Sequence, residues 1–242
     1  MALKGVILAG GTGSRLFPLT RLMNKHLLPV GRQPMIVHGV MKLRDAGIQD
    51  IHIVLSKQSA GMYADYLGSG AEWGVKLSYI IQEQASGIAQ ALSRVESFLS
   101  DDEKLVVLLG DNLFEDSLLP YVEKFNLQEK GARVILKEVT DPRRYGVPKL
   151  EGSTIIHIEE KPEHPLSSYC VTGIYMYDMT VFRIIREIKP SSRGELEITD
   201  VNNAFAHMGL LSYDIMDGWW TDAGTFESLK EADSVLGKRG EQ

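Results

Sequence analysis

The sequence lacks the features that mark secreted and membrane-spanning proteins. It has a single cysteine, Cys170, so no disulfide can form within the chain. Its apolar runs are far shorter than the roughly 20 residues that a membrane-spanning helix requires. No basic segment leads into an apolar stretch near the first residue, so we expect no signal peptide. These absences predict a cytoplasmic protein that does not insert into a membrane.

Two familiar catalytic patterns are also missing. None of the six histidines pairs with a cysteine or another histidine at zinc-ligand spacing. The sequence contains no G-x-S-x-G motif, which would place a serine nucleophile on a strand-to-helix turn. The chemistry must therefore be sought in other residues.

Acidic residues are missing from the first part of the chain. No Asp or Glu precedes Asp45, so residues 1–44 carry a charge of +7. Because the net charge of the whole chain is −6, the remaining residues carry −13. A glycine-rich turn lies inside this basic segment, which favours a local anion site over the broad basic face of a nucleic-acid-binding protein. The basic residues are Lys4, Arg15, Arg21, Lys25, Arg32, Lys42 and Arg44.

Short apolar, β-branched runs recur along the chain and predict strands. Helical patterns separate the early runs, which is typical of a parallel sheet, whereas the runs after residue 132 follow one another closely and predict antiparallel or mixed additions to the same sheet. We therefore expect an α/β fold: one Rossmann-like domain over residues 1–242, with a mixed, mostly parallel sheet flanked by helices. The predicted strands are 5–9, 51–55, 77–81, 105–109, 134–139, 154–158, 171–177 and 211–215, and the predicted helices are 35–46, 60–67, 88–98, 118–130 and 226–236.

The glycine turn GGTGSR, residues 10–15, follows the first predicted strand. Gly10, Gly11 and Gly13 allow backbone N–H groups to approach an anion, and Arg15 adds a permanently charged fork for phosphate oxygens. The turn is neither a Walker A loop nor a G-x-G-x-x-G dinucleotide fingerprint. A tight turn beside a solvated arginine is the alternative interpretation.

Lys25 and Asp111 are the next candidates. Lys25 lies in NKHLLPV, whose apolar residues predict a partly enclosed position, although most single lysines are solvated. Asp111 follows the buried run LVVLLG, where ligands of open α/β sheets bind. Asn112 and Glu115 have the spacing of a capping box, so we expect Asn112 to cap the next helix and leave Asp111 free for Mg²⁺.

Asp222 lies in GWWTDAGT, a segment with no other charge. It could cap the last predicted helix, but Thr225 could fill that role instead. A carboxylate among indoles and glycines is then a candidate for a second metal ligand.

The second half of the chain offers weaker candidates. Strand alternation predicts that one of Glu159 and Glu160 points inward, with Lys161 at the end of the strand. The same residues could form an exposed charge run. Tyr145 and Gly146 combine an aromatic wall with a close backbone approach, a pattern suited to a sugar.

Several ordered motifs resemble the sugar-1-phosphate nucleotidylyltransferase family over nearly the whole chain. They begin with GGTGSRLFPLT, which is followed by KHLLPV and PM; the later motifs are LGDN (109–112), DPRRYGV (141–147), EEKP (159–162), VTGIYMYD (171–178), RGELEITDVN (193–202) and WWTDAGT (219–225). The resemblance implies a nucleotidyltransferase fold with a nucleotide-binding half, residues 1–131, and a sugar-binding half, residues 132–242. It is greatest for members that use dTTP and glucose 1-phosphate to make dTDP-glucose and pyrophosphate, in pathways of dTDP-rhamnose and polysaccharide biosynthesis.

The resemblance also implies roles for individual residues. Gly10, Gly11, Thr12 and Gly13 would bind the triphosphate and nucleoside, Arg15 and Lys25 the reacting phosphates, and Gln82 and Gly87 the base. Asp111 and Asp222 would hold Mg²⁺, and Asp111 would thereby contact the nucleotide. Lys161 would hold the sugar phosphate, and Asn112, Tyr145, Gly146, Glu160 and Val171 would surround the sugar. Arg15, Lys25 and Lys161 would be the catalytic residues, and a homo-oligomer is expected.

The base-reading segment departs from the family pattern. QEQASG, residues 82–87, keeps Gln82 and Gly87 but lacks the two prolines usual there. UTP therefore remains an alternative to dTTP, and a non-catalytic nucleotide-sugar sensor is a third hypothesis. Longer members of the family carry a further helical segment that contributes to a regulatory site, whereas this sequence ends soon after the last predicted helix, so inhibition by a nucleotide-sugar stays an alternative. We also expect no C-terminal β-helical acetyltransferase domain.

Overall fold

The computed structural model describes residues 2–238, whose strands and helices surround one seven-stranded sheet. The strands, in chain order, are β1 (Leu3–Ala9), β2 (Pro29–Val30), β3 (Gln33–Pro34), β4 (Asp50–Ser56), β5 (Lys76–Gln82), β6 (Lys104–Leu109), β7 (Asn112–Phe114), β8 (Ala132–Glu138), β9 (Gly146–Glu151), β10 (Thr154–Glu160), β11 (Tyr169–Asp178), β12 (Leu211–Ile215) and β13 (Trp220–Asp222). The α-helices are α1 (Met35–Asp45), α2 (Ala60–Leu67), α3 (Ile88–Ser93), α4 (Leu119–Leu127), α5 (Thr180–Glu187), α6 (Ile198–His207) and α7 (Phe226–Gly237).

The central sheet has the order β12-β8-β11-β6-β1-β4-β5. Strands β6, β1, β4 and β5 run parallel to one another, and β12 runs parallel to β8. Only β11 within this sheet is antiparallel to its neighbours. The prediction of a mixed, mostly parallel sheet in a single domain is therefore confirmed.

Alternation along the strands explains the layers of helices. In β1, Ile7 belongs to an apolar cluster with residues of α1, α2 and α4, whereas the adjacent Val6 and Leu8 belong to a second cluster with residues of α3, α5 and α6. The sheet therefore buries both faces, which accounts for its continuous apolar runs. Within residues 2–238, every helix is too short or too polar to span a bilayer.

The second half departs from the sequence prediction in two places. Strand β10 pairs with β9 in a separate antiparallel sheet instead of joining the central one. Asn203 of α6 explains the separation, because its side chain accepts from the Ile158 N–H at 2.7 Å and donates to the Ile158 carbonyl at 2.8 Å. Helix α6 thus provides hydrogen bonds to an edge of β10 at which another strand could otherwise pair. The other departure is that α5 and α6 were missing from the prediction. In the first half, α3 and α4 end several residues earlier than predicted.

A topological switch point lies between β1 and β6. The chain continues from β1 to β4 and β5 on one side, whereas β11, β8 and β12 lie beyond β6 on the other. Ligands of open α/β sheets bind beyond the carboxyl ends of strands at such a point. The glycine turn and Asp111 follow these two strands, so the fold brings them together.

Candidate active site

A cleft with two connected lobes opens beyond the carboxyl ends of β1 and β6. The larger lobe has a volume of about 640 Å³ and the smaller one about 240 Å³. Both are bordered by Ile88, Leu109, Asp111 and Glu195, so Asp111 lies where they meet. The cleft can therefore hold two ligands whose reacting ends meet near this carboxylate.

The smaller lobe collects most of the residues predicted to bind the nucleotide. Those bordering it are Gly10, Gly11, Lys25, Gln82, Gly87 and Asp111. Thr12 lies instead in an adjacent groove with Thr20 and Ser56. Gly13 has a φ of +67°, and its carbonyl accepts a hydrogen bond from the Thr20 hydroxyl at 2.9 Å.

Two positions of the smaller lobe require glycine, because atoms of other segments lie where a side chain would be. A Cβ added to Gly10 would lie 2.2 Å from the end of the Gln82 side chain. Gly87 has a φ of +106°, and a Cβ there would lie 2.3 Å from the Leu196 carbonyl oxygen. Both contacts are too short for a side chain, so glycine allows Gln82 and the 193–198 segment to enclose the lobe.

Lys25 and Asp111 form an ion pair between the Lys25 Nζ and the Asp111 Oδ2. Their side chains are 12% and 13% exposed, so the predicted cleft position of Lys25 is confirmed. Burial by itself would raise the pKa of Asp111, but the Lys25 ammonium and the hydrogen bonds from Lys25 and Asn112 act together against burial, and the pKa lies well below its usual range. Asp111 is therefore ionised at neutral pH.

Asp222 lies next to Asp111 through the pairing of β13 with β7. In this ladder Asp222 faces Asn112, and the N–H of Ala223 donates to the Asp111 carbonyl at 2.8 Å. The Asp222 carboxylate accepts from the Tyr145 hydroxyl at 2.8 Å and from Arg144 at 3.1 Å. Burial raises its pKa, although these two partners oppose the shift.

The expected helix-capping role of Asn112 is wrong. Asn112 is 5% exposed and begins β7, so no helix follows it directly. Its side-chain oxygen accepts from the Gly173 N–H and from the Trp220 Nε1, both at 2.8 Å, and its amide donates to Asp111 at 3.1 Å. The Asn112 side-chain oxygen, which the local pattern assigned to a helix cap, thus accepts from donors distant in the sequence.

Thr225, and not Asp222, caps α7. The Ser228 N–H donates to the Thr225 hydroxyl at 3.2 Å, and the Thr225 N–H donates to the Ser228 hydroxyl at 3.1 Å. Thr225 and Ser228 thus form the reciprocal pair of a capping box. Asp222 is left to face the larger lobe.

The larger lobe collects the predicted sugar-binding residues. They are Asn112, Tyr145, Gly146, Glu160, Lys161 and Val171. Glu160 points inward and accepts from the Thr199 hydroxyl at 2.6 Å, whereas Glu159 is exposed, as alternation predicted.

Lys161 and Arg15 place positive charge at the edges of the larger lobe. Lys161 has a φ of +49°, and its Nζ lies 3.2 Å from a Glu160 carboxylate oxygen. A Cβ added to Gly224 would lie 3.0 Å from the Arg15 Nη2, so Arg15 borders the Asp222 segment. Both cations are available to an anion that enters this lobe.

The sequence reasoning missed four charged residues of the larger lobe, which are Arg144, Arg193, Glu195 and Glu197. Arg144 pairs with Asp222, and Arg193 lies 2.8 Å from Glu197 and 3.9 Å from Glu160. Glu195 borders both lobes. All four lie inside the quoted motifs DPRRYGV and RGELEITDVN, which could have identified them.

Asp111 and Asp222 are the carboxylates that could hold a divalent cation here. Among residues 2–238, no three His, Cys, Asp or Glu side chains gather as a metal cluster. A pair of carboxylates nevertheless fits Mg²⁺, which uses one or two of them and completes its octahedron with water and substrate phosphates. The donor set therefore suits a cation that arrives with a phosphate ligand.

Comparison with other sequences finds close relatives. A model of the nucleotidyl transferase family matches residues 4–239. A glucose-1-phosphate thymidylyltransferase of Neisseria meningitidis is 41% identical over 238 residues, which cover 97% of this chain and 82% of that protein. An enzyme of the same name from Xanthomonas campestris pv. campestris is 42% identical over 237 residues, which cover 96% of this chain and 80% of that protein.

Solved structures share the fold over nearly the full length. A structure from Bacillus anthracis, assigned as a glucose-1-phosphate thymidylyltransferase in complex with a sucrose, is 55% identical with a TM-score of 0.94. The match covers 98% of this chain and 96% of that one. A UDP-glucose pyrophosphorylase complexed with UDP-glucose is 27% identical with a TM-score of 0.87, and the match covers 99% and 100% of the two chains.

Proposed function

The chain belongs to the nucleotidyl transferase family and is an enzyme of that family, and from this premise we propose that it joins dTTP to α-D-glucose 1-phosphate. The products are dTDP-glucose and pyrophosphate. The observation that carries the proposal is the two-lobed cleft with Asp111 at its junction. The relatives named for this activity supply the choice of substrates.

The two lobes divide the substrates in this proposal. The nucleotide enters the smaller lobe, where the turn residues Gly10 and Gly11 approach its phosphates and Gln82 faces its base. Glucose 1-phosphate enters the larger lobe, where Glu160 and the Tyr145–Gly146 backbone surround the sugar. The α-phosphorus of the triphosphate and the sugar phosphate then meet beside Asp111.

Positioning and charge stabilisation account for the chemistry without a general base. A sugar phosphate at neutral pH is already an anionic nucleophile, so the obstacle is its repulsion by the triphosphate. Lys25, Arg15 and Lys161 offset that repulsion and stabilise charge while the sugar-phosphate oxygen attacks the α-phosphorus in line. Holding the two reactants at the lobe junction supplies much of the remaining acceleration.

Asp111 and Asp222 would hold Mg²⁺ in this proposal. The cation would neutralise charge on the phosphate oxygens that it contacts. Lys25 pairs with Asp111 and Arg144 pairs with Asp222, so each carboxylate is held in place at the larger lobe by a cation. Release of these cations toward the incoming phosphates would couple substrate binding to metal binding.

UTP is the alternative nucleotide on the same scaffold. The fold is shared with a UDP-glucose pyrophosphorylase, and the 82–87 segment lacks the prolines expected for a dTTP enzyme. The sensor hypothesis is set aside because the chain belongs to an enzyme family. Cytoplasmic location and homo-oligomeric assembly remain proposals from the sequence resemblance.

Pyrophosphate release tests the proposal. The protein is incubated with Mg²⁺, glucose 1-phosphate and, in parallel, dTTP, UTP, CTP, ATP or GTP. We expect the highest kcat/KM with dTTP and no release without the sugar phosphate. A clear preference for UTP would replace dTTP in the proposal, and no release from any mixture would refute nucleotidyl transfer to glucose 1-phosphate.

A further inference from the structure

We propose that Arg94, acting through Gln90, fixes which end of the Gln82 amide faces the nucleotide lobe, and so selects a base that presents a carbonyl oxygen there. Arg94 and Gln90 are positioning residues, because neither borders the smaller lobe. The inference rests on the proposed function, since it concerns the base of the triphosphate.

Gln82 is held between two contacts. It is 6% exposed, ends β5 and borders the smaller lobe. One end of its amide lies against Gly10, where an added Cβ would be only 2.2 Å away. In the structure the Gln82 Oε1 is the end that faces Gly10, and the Gln82 Nε2 at the other end donates to the Gln90 Oε1 on α3 at 2.6 Å. The side chain therefore has one remaining freedom, which is the exchange of its amide oxygen and nitrogen.

Arg94 removes that freedom through a chain of hydrogen bonds. Its Nε and Nη2 lie 3.1 Å and 2.6 Å from the far end of the Gln90 amide. A guanidinium only donates hydrogen bonds, so the Gln90 oxygen must face Arg94 and the Gln90 NH₂ must face Gln82. Exchange of the Gln90 amide brings its NH₂ to the Gln82 Nε2, so we infer that the Gln82 amide is exchanged as well. Its oxygen then accepts from Gln90, and its NH₂ faces Gly10 and the lobe.

The direction of this hydrogen bond distinguishes pyrimidines. Thymine and uracil carry a carbonyl oxygen at the ring position where cytosine carries an amino group. The Gln82 NH₂ donates to the carbonyl, whereas an amino group would place two donors opposite each other at the buried Gln82 side chain. Leaving such groups unpaired is costly enough to change selectivity tenfold or more.

A variant that reverses the direction of the hydrogen bond between Gln90 and Gln82 tests the proposal. In Gln90→Glu the new carboxylate only accepts, so it binds Arg94 and also takes the hydrogen bond from the Gln82 NH₂. The Gln82 oxygen would then face the lobe. We expect the dTTP-to-CTP ratio of kcat/KM to fall at least about tenfold, mainly through a higher KM for dTTP and a lower KM for CTP. The kcat for dTTP should change little.

Substitutions of Arg94 provide the matched controls. Arg94→Met removes the donor and leaves both amide orientations open, so the ratio should fall to a value between those of the native protein and Gln90→Glu. Arg94→Lys restores a donor-only cation and should recover most of the selectivity. A merely structural role would not reverse the base preference or be rescued in this way. Ratios within about twofold of the native value in Gln90→Glu and Arg94→Met, with pyrophosphate still released, would overturn the proposal.

A measurement without turnover separates this inference from the proposed function. In NMR spectra of the nucleotide-free protein, the Gln82 side-chain NH₂ protons should show nuclear Overhauser effects to the Gly10 α-protons. These effects should disappear in Gln90→Glu. Their absence from the native protein contradicts the assigned polarity even if the enzyme is active. Their presence in a protein that releases no pyrophosphate supports the polarity while the proposed reaction fails.

Discussion

At the scale of single residues, two aspartates illustrate how surroundings shift the pKa of one side-chain type in opposite directions. Asp111 has a lowered pKa because Lys25 and the Asn112 amide together outweigh burial, whereas the pKa of Asp222 is raised because burial outweighs Tyr145 and Arg144. The sequence identified both carboxylates as candidates. It could not pair them, because their proximity depends on the register of β13 against β7.

Removal of the Asp111 charge is the first residue-scale prediction. Asp111→Asn keeps the shape of the side chain but removes a proposed Mg²⁺ ligand and the partner of Lys25. We expect kcat for pyrophosphate release to fall at least about 100-fold, while circular dichroism shows the fold retained. Asp65→Asn, at an exposed position of α2, is the control and should be neutral. Near-native turnover in Asp111→Asn would remove this residue from the metal site.

A second residue-scale prediction concerns the pH dependence of stability. His26 is 2% exposed, and burial lowers its pKa from 6.5 to about 3. The unfolded chain therefore binds more protons at this residue than the folded chain below about pH 6.5, so its contribution favours unfolding as the pH falls from 7 to 5.

His26→Gln tests this assignment in denaturant titrations without metal. The native protein should lose more unfolding free energy between pH 7 and pH 5 than the variant, by up to about 1.4 kcal/mol per pH unit at the low end. The variant has lower stability at pH 7 as well, so the slopes are compared and not the absolute values. Parallel pH profiles would show that His26 does not stay neutral in the folded protein.

At the scale of elements, local capping patterns predicted the start of a helix correctly only where tertiary contacts left the capping side chain free to cap. Thr225 begins α7 with the capping box that its hydroxyl allowed. Asn112 carried an equally plausible local signal, but Trp220 and Gly173 hydrogen-bond to it in the interior. The missed α6 is another tertiary effect, since its Asn203 replaces a strand partner at the edge of β10.

The cap of α7 gives the element-scale prediction. Thr225→Ala removes the hydroxyl that accepts from the Ser228 N–H, so the free energy of unfolding should fall by about 1 kcal/mol in urea titrations. Thr140→Ala, at an exposed position outside any helix, is the control and should change stability much less. An equal loss in both variants would mean that the cap contributes nothing specific to α7.

At the scale of the whole molecule, the parallel strands and the candidate site were largely predictable. Apolar runs and intervening helical patterns indicated β1, β4, β5 and β6, and the ends of such strands indicated where Gly10 and Asp111 would meet. The division of the cleft into two lobes, and the contribution of Arg193 to one of them, depend on packing between segments distant in sequence. Such packing leaves no periodic signal in the chain.

Phosphorus NMR of a complete reaction tests the central claim most directly, because it follows the α-phosphorus itself. The protein is mixed with dTTP, glucose 1-phosphate and Mg²⁺, and the spectrum is followed over time. We predict that the three triphosphate resonances and the sugar-phosphate resonance are replaced by those of pyrophosphate and of a sugar-linked diphosphate. EDTA should stop this change and excess Mg²⁺ should restore it. Release of inorganic phosphate instead, or an unchanged sugar-phosphate resonance, would contradict transfer of the α-phosphate to the sugar phosphate.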